Sequence, residues 1–486
     1  MGDQDPYNWS MPKKLINLAM ISFHAMMGTF IAASIQSVFV DIAEDLDVSV
    51  HRASYLLSLQ IAVLGVAPLF WCPLSQRFGR RPVFLVSLIC SLAGNVGCAV
   101  SPSYSTMGLC RAITAFFISP ALAIGSAVAT ETFFKKERAR YMGVWAMMVT
   151  LGVPLGPFIF GFVAVRVGYR WIYWILAIVS RFLSPPCQLS SNHALFPTQT
   201  NGVQLLLYFF LGRETRYLRG PMPNSQPPAP AATSSHVKNL LWFRRIDPTP
   251  LSLWDFIQPL SFFARPCVFI PAAGYAMVFL WGNIMMCVAT GHLFPEMFGL
   301  DPQQVGLQNV SLIIGSVIGE QFGGFMSDWW MWRRQKAIGA GSSDSDSQGE
   351  GKTVVKVQPE FRLWVGYPGQ LLTICGVVVY LVQLGVAGDS WNVTPIVGSG
   401  IAAAGNQIVT TVVTTYAVDC YREEAASVGV FINLVRQTWG FIGPFWIVDM
   451  IQKVGFGAAA GITTALMVGV SMIPTAVVQW RGQRWR

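Results

Sequence analysis

Seven polar side chains stand where a membrane would leave them no water: His24, Arg111, Glu320, Asn406, Gln407, Asn433 and Arg436 each interrupt a long apolar run. A charge at the centre of a bilayer costs roughly 2.5–3.5 kcal/mol or more, so such residues usually pair, bind or move a charge. Arg111, in LCRAITAFFISPALAIG (109–125), and Arg436, in NLVRQTWGFIGPFW (433–446), are functional candidates on that ground. For Arg111 the competing reading is an arginine snorkelling to the near end of its run. His24 can titrate near neutral pH, or can simply pack through a hydrogen bond. Glu320, in IGSVIGEQFGG, and Asp419 lie about two turns or less from the ends of their runs, which favours solvated residues. Asn406, Gln407 and Asn433 suit either the lining of a pathway or hydrogen bonds between helices. This is a chemistry of binding and charge movement. With no HExxH, no GxxxxGK[ST] and no CxxC, an enzyme, ATP coupling, a metal and a cofactor all lack support.

The elements that hold these groups are helices. Hydrophobic residues make up 53% and charged residues 12% of the 486, and mean hydropathy is +0.48; a soluble domain carries about a quarter charged. Apolar runs near the roughly 20 residues that cross a bilayer recur at 15–39, 54–73, 82–100, 105–128, 141–165, 170–212, 264–289, 303–327, 362–385, 391–418, 425–449 and 456–479. They predict an all-α membrane protein of twelve transmembrane helices. Six lie in 15–212 and six in 264–479, with a cytoplasmic linker at 213–263 and tails at 1–14 and 480–486.

Basic residues orient the chain. With the N-terminus inside, 26 of the 33 Lys and Arg fall on the cytoplasmic side, including the clusters at 77–81, 135–140 and 332–336. The positive-inside rule then places both termini in the cytoplasm. This placement accounts for the formal charge of +9 without nucleic acid as a partner. The N-terminus carries no cleavable-signal pattern, so the first span is expected to act as an uncleaved signal. The nine cysteines, mostly inside apolar runs, are expected to be small buried hydrophobes. In the linker, PMPNSQPPAPAATSS (221–235) cannot pack, whereas LSLWDFIQPLSFF (251–263) predicts an amphipathic helix along the membrane surface. The polar loop 337–352 reads as a flexible tether or, through its Ser-Asp alternation, as a phosphate acceptor.

Span six does not close. WIYWILAIV (171–179) and NGVQLLLYFFLG (201–212) are each too short to cross, and SRFLSPPCQLSSNHALFPTQT (180–200) separates them. Irregular backbone in lipid would leave amides unpaired. Joined directly, the two pieces make one span of 21 residues. The 180–200 stretch is therefore expected to be foreign to the fold, as a translated unspliced intron would be. The rival is a broken helix lining a cavity.

Three further runs carry spacing as well as composition: CPLSQRFGRRP (72–82), GFMSDWWMWRR (324–334) and GVPLGPFIFG (152–161), the last followed by GYRWIYWI (168–175). Together with Arg111 they resemble the major facilitator superfamily, specifically its twelve-span drug:proton antiporter branch common in fungi. The resemblance covers nearly the whole chain except 180–200. It implies a conformational latch at Gln76, Arg77, Gly79, Arg80 and Arg81, echoed in the second half by Gly324, Asp328, Arg333 and Arg334. Cys72 and Gln76 stand where the family has Gly and Asp, so the latch is softer or its acid comes from elsewhere. Gln76 can still hydrogen-bond a helix N-terminus, without charge. The resemblance also implies a part in proton coupling for Arg111, although Ala115 replaces the family's Gly. Gly152, Gly156, Pro157 and Gly161 match the antiporter pattern of span five, with Phe160 in place of one glycine, and point to efflux rather than uptake.

The resulting expectation is a secondary active transporter that exports small organic molecules, such as a drug, toxin or metabolite, in exchange for protons. His24, Arg111, Glu320 and Arg436 are the candidates for transport and coupling. The chain would work as a monomer in the lipid bilayer of the plasma membrane or the vacuole. A nutrient importer of the same fold, a sensor that binds without transport and a non-transporting product of a mis-spliced transcript stay open. No short motif encodes the substrate.

Overall fold

The computed structural model describes residues 5–134, 138–177, 200–212, 214–215, 250–341, 358–388 and 390–485, and every regular element among them is helical. α1 (Met11–Ala33) begins with Pro12 in its first turn, where a missing N–H costs nothing, and leads to α2 (Phe39–Asp45). α3 (Val50–Phe78) starts on Ser49, whose hydroxyl accepts from the Arg52 amide at 3.2 Å. α4 (Arg80–Ala99) follows Gly79, whose φ of +90° favours glycine. α5 (Tyr104–Ile118) and α6 (Pro120–Thr132) form one span broken at Pro120, and α7 (Arg138–Val167), α8 (Arg170–Ala177) and α9 (Thr200–Leu211) complete the first set.

After α10 (Leu253–Ile257), α11 (Pro266–Phe279) runs through a π-helical turn into α12 (Met286–Phe298). α13 (Pro302–Gln308) opens on an Asp301–Gln304 capping box and meets α14 (Val310–Gly341). The set ends with α15 (Gly366–Ala387), α16 (Thr394–Cys420), α17 (Ala425–Ile442), α18 (Ile447–Val454), α19 (Phe456–Met467) and α20 (Ile473–Trp485). Large apolar side chains such as Phe210, Phe325 and Val386 point outward, as a surface that meets lipid rather than water requires. Of the expected surface helix over 251–263, α10 takes only five residues before a 3-10 turn at Gln258–Ala264, and Leu253, Trp254 and Ile257 are exposed along it.

Ten helical stretches among the described residues are long and apolar enough to cross a membrane. The other two expected spans consist of shorter pieces. The eleventh ends at Ile442, because Gly443 and Pro444 turn the chain before α18. The sixth is α8 and α9, and these lie end to end along α4. Arg170, opening α8, donates to the Ala99 and Ser101 carbonyls at 3.3 and 2.9 Å. Asn201, opening α9, reaches Ser91 at 3.4 Å, and the Phe209 carbonyl near its end accepts from Arg81 at 2.9 Å. The contacts march down α4 from Ala99 at its end to Arg81 near its start, covering the length a single span would. Residues 180–199 lie outside the described residues.

The two sets meet along a seam. α7 packs on α13, α14 and α16 across it, and α17 packs on α3 and α6. Small residues bring the backbones together within each set as well. Gly315, Gly319 and Gly323, one turn apart on α14, face Gly400, Ala404 and Ile408 of α16, a small-residue stripe of the kind that lets membrane helices approach. Of the eight described cysteines, Cys72, Cys98, Cys267 and Cys287 are buried and Cys375 is exposed; none forms a disulfide.

Candidate functional site

Two small cavities lie along the seam, both bordered by α17. The first is walled by Leu122, Trp145, Ala146 and Val149 from the first set and by Tyr275, Thr410, Thr414, Gly429, Ile432, Asn433 and Arg436 from the second. The second lies among Thr29, Gln36, Ile61, Leu64 and Val153 on one side and Phe279, Ile284 and Gln437 on the other. Beyond them the sets touch at both ends. At one end a Cβ at Gly306 would sit 2.5 Å from the Pro157 carbonyl, and Gly161 lies against Pro302. At the other, Gly143 meets the Glu320 carboxyl, while beside the first cavity a Cβ at its wall residue Gly429 would sit 3.0 Å from the Ala123 carbonyl.

Arg436 faces the first cavity with 6% of its surface exposed. It donates to the Tyr275 hydroxyl at 3.3 Å and to Asn433 Oδ1 at 3.0 Å, and its guanidinium lies 5.0 Å from the Phe279 ring centre. Its Nε has no partner. Asn433 in turn donates across the seam to the Leu64 carbonyl of α3 at 2.9 Å, so α17 is tied to both sets.

Arg111 is fully buried, which removes the snorkelling reading. Its guanidinium donates to the Leu56 and Ala32 carbonyls at 3.3 and 3.0 Å, to the Tyr173 hydroxyl at 2.9 Å and to Gln60. It thereby ties α5 to α1, α3 and α8. All of these acceptors are neutral. Arg111 lines neither seam cavity.

Glu320 is buried, not solvated: it is 6% exposed and accepts from Gln407 at 2.7 Å and Thr411 at 2.6 Å, both on α16. The solvated reading fails because α14 runs on to Gly341, so Glu320 lies far from the helix end. Asn406 is buried with neither end of its amide partnered among the described residues. His24 turns away from the seam. It contacts Ser87 at 3.3 Å and packs edge-on against Phe84 and Tyr208, inside the first set.

The 72–82 run, which is the end of α3 and the start of α4 joined at Gly79, gathers the acids that Gln76 lacks. Gln76 bonds Cys72 Sγ at 3.6 Å on its own helix and caps nothing. Glu214 takes that role: its two carboxylate oxygens accept from the Arg80 and Arg81 amides at 3.0 and 3.1 Å, at the positive end of α4. Arg80 pairs with Glu131 at 2.8 Å, and Arg77 pairs with Asp255 of α10 at 3.0 Å. In the second set Arg362 pairs with Asp328 at 3.2 Å and Asp419 at 3.4 Å. Arg333 and Arg334 lie over the Trp329 and Phe361 rings instead. Arg80–Glu131 and Arg362–Asp419 occupy matching places: each ties the start of a third helix to the end of a fourth. Sequence reasoning missed Arg362, Glu214, Asp255, Gln60 and Tyr173. The echo of one half in the other was the available signal for Arg362.

Gly152 and Gly156 seat α7 against α1. A Cβ at Gly156 would lie 2.9 Å from the Phe30 carbonyl, and one at Gly152 would lie 2.5 Å from that of Met26. Thr29 donates to the Val149 carbonyl between them at 2.8 Å. Gly161 meets the second set instead, so one pattern serves both a packing contact and the seam.

The family model described as Major Facilitator Superfamily matches residues 18–343. Among curated proteins the chain is similar to Citrate exporter 1 of Aspergillus niger, at 23% identity over 98% of this chain and 87% of that protein. It is also similar to Efflux pump radE of Floropilus chiversii, at 23% identity over 99% and 82%. Probable efflux pump mfs2 of Aspergillus flavus is 24% identical over 90% and 95%.

Proposed function

The chain belongs to the major facilitator superfamily, and on that footing we propose that it exports a small organic molecule in exchange for protons. It is a multi-pass membrane transporter and not an enzyme. The observation that carries the proposal is the cavity between the two sets, lined by residues of both. A site of this kind opens to either side in turn when one bundle rocks against the other. Export rather than uptake draws support from the Gly-Pro pattern of α7 and from relatives named as exporters and efflux pumps.

In this reading α8 and α9 count as one span, so that twelve cross the membrane with both termini in the cytoplasm. Glu320 carries the proton: its carboxyl sits on the seam among neutral donors, where gain or loss of a proton changes the charge between the bundles. Arg111 and His24 act inside the first bundle, and the ion pairs at 72–82 and around Arg362 latch the ends. The protein works as a monomer in the plasma membrane. The test is flux in vesicles with and without an imposed pH gradient. Export that accelerates when protons flow inward supports the proposal; flux indifferent to the gradient overturns its proton arm, and absence of flux overturns the whole.

A further inference from the structure

We propose that the cavity at Arg436 is an anion subsite, built for the carboxylate of a singly charged organic acid with an apolar body. The inference deepens the transport reading and rests on it only in taking the same cavity as the place where the carried molecule sits.

Burying a guanidinium without a counter-charge is unfavourable, so buried arginines are normally paired or saturated with acceptors. The other deeply buried arginines among the described residues obey that rule. Arg80 has Glu131, and Arg362 has Asp328 and Asp419. Arg111 spends its donors on four acceptors of the chain itself. Arg436 has two neutral partners, an unpartnered Nε and no ion pair among the described residues. It also borders open space, and no Asp or Glu lines either seam cavity. A planar guanidinium with free donors facing a cavity that no acid lines is matched by a carboxylate, which it binds through charge-assisted hydrogen bonds.

The space beside Arg436 is about 30 Å³, room for the carboxylate itself, and the walls around it set the rest of the molecule, which they meet as the two sets part. Leu122, Val149 and Ile432 present aliphatic surface, while Trp145 and Tyr275 present rings. A single cation in such walls balances a single negative charge. A polyanion would leave its further charges unpaired among apolar groups, and a cation would meet Arg436 directly.

The experiment uses the full chain in lipid nanodiscs and three probes with one body: benzoate, benzamide and benzylamine. Equilibrium binding is read by calorimetry and by quenching of tryptophan fluorescence, with no ion gradient present. Benzoate is expected to bind at least about tenfold more tightly than benzamide, as a charge-assisted contact implies, with benzylamine weakest. Arg436→Gln should bring benzoate down to the level of benzamide, and Arg436→Lys should keep the order with weaker binding. Benzamide or benzylamine binding as tightly as benzoate overturns the proposal, as does a preference that survives Arg436→Gln. So does the absence of saturable benzoate binding at millimolar concentration. The charge series on the unsubstituted chain decides the matter even where a variant does not fold. Binding with the expected order but no flux would overturn the transport reading and leave the subsite standing; proton-driven flux of neutral compounds without anion preference would do the reverse.

Discussion

The carboxyl of Glu320 on α14 lies directly against Gly143 on α7, so that a methyl group placed at 143 would overlap Glu320 Oε1. The two residues belong to opposite sides of the seam, and the absence of a side chain at 143 is what lets the sides close there. Gly143→Ala is expected to hold this end apart. The atom met is the far end of a flexible side chain, so the cost sits at the low end of overpacking, about 1 kcal/mol, and transport slows a few-fold if closure is part of the cycle. The variant should reach the membrane in ordinary yield, because α7 keeps its contacts with α1. A parental rate in reconstituted vesicles would show that the cycle does not close through this contact.

Glu320→Gln removes the charge while keeping the shape and the ability to bond Gln407 and Thr411. Substrate should still move down its own gradient, measured as counterflow. Acceleration by an imposed pH gradient should vanish. A variant that answers the pH gradient as strongly as the parent would place the proton site elsewhere in the chain.

Arg111 joins four helices through neutral acceptors, so Arg111→Gln should act first on stability. Each acceptor left buried and unpaired costs about 1–3 kcal/mol, and the thermal midpoint in detergent should fall accordingly. Arg111→Lys should recover part of the loss, since one ammonium cannot serve acceptors spread around a guanidinium. Parental stability combined with a lost response to the pH gradient would assign the residue to coupling, as its place in the family resemblance implied.

The Arg77–Asp255 pair ties the end of α3 to α10 within the linker, with side chains 14% and 30% exposed. Partial exposure limits such a pair to about 1 kcal/mol or less. Asp255→Asn should therefore change the transport rate by a few-fold at most. Exchanging the charges, Arg77→Asp with Asp255→Arg, should restore part of the change. A double-mutant cycle with no coupling between the two positions would reduce the contact to surface charge.

Helix positions and the charges inside them were legible because both are local: an apolar run of a given length, and an arginine within it. Arg436 and Asn433 could be singled out in this way. Their partners could not. Glu214 caps Arg80 from 134 positions along the chain, and Asp255 reaches Arg77 from 178. The depth of Glu320 was misread because hydropathy falls where Asp328, Arg333 and Arg334 begin, although the helix itself continues to Gly341. Its aromatic residues, Trp329 and Trp332, carry that surface onward. His24 illustrates the opposite limit. Its place inside a span was clear, but the face it presents, toward Phe84 and Tyr208 rather than the seam, follows from packing alone.

The geometry of α8 and α9 bears on the stretch between them. Both helices lie on α4, the first against Ala99 and Ser101 and the second from Ser91 to Arg81. Each also serves the bundle: Tyr173 of α8 accepts from Arg111, and Tyr208 of α9 packs on His24. The two pieces thus already occupy the path of one continuous span, and nothing in these contacts requires residues between them. Deleting 180–200 joins 179 to 201 and is expected to give a single helix, with backbone hydrogen bonds continuous through the junction. The shortened chain should give at least the parental yield of folded protein and a higher thermal midpoint. In a toxin-sensitive host it should raise tolerance, or in vesicles drive flux, at least as well as the full chain. A lower yield together with lost flux would mean that the stretch is an integral part of span six, as a broken helix lining a cavity would be. Equal folding with lost flux only in the shortened chain would assign it a part in transport itself.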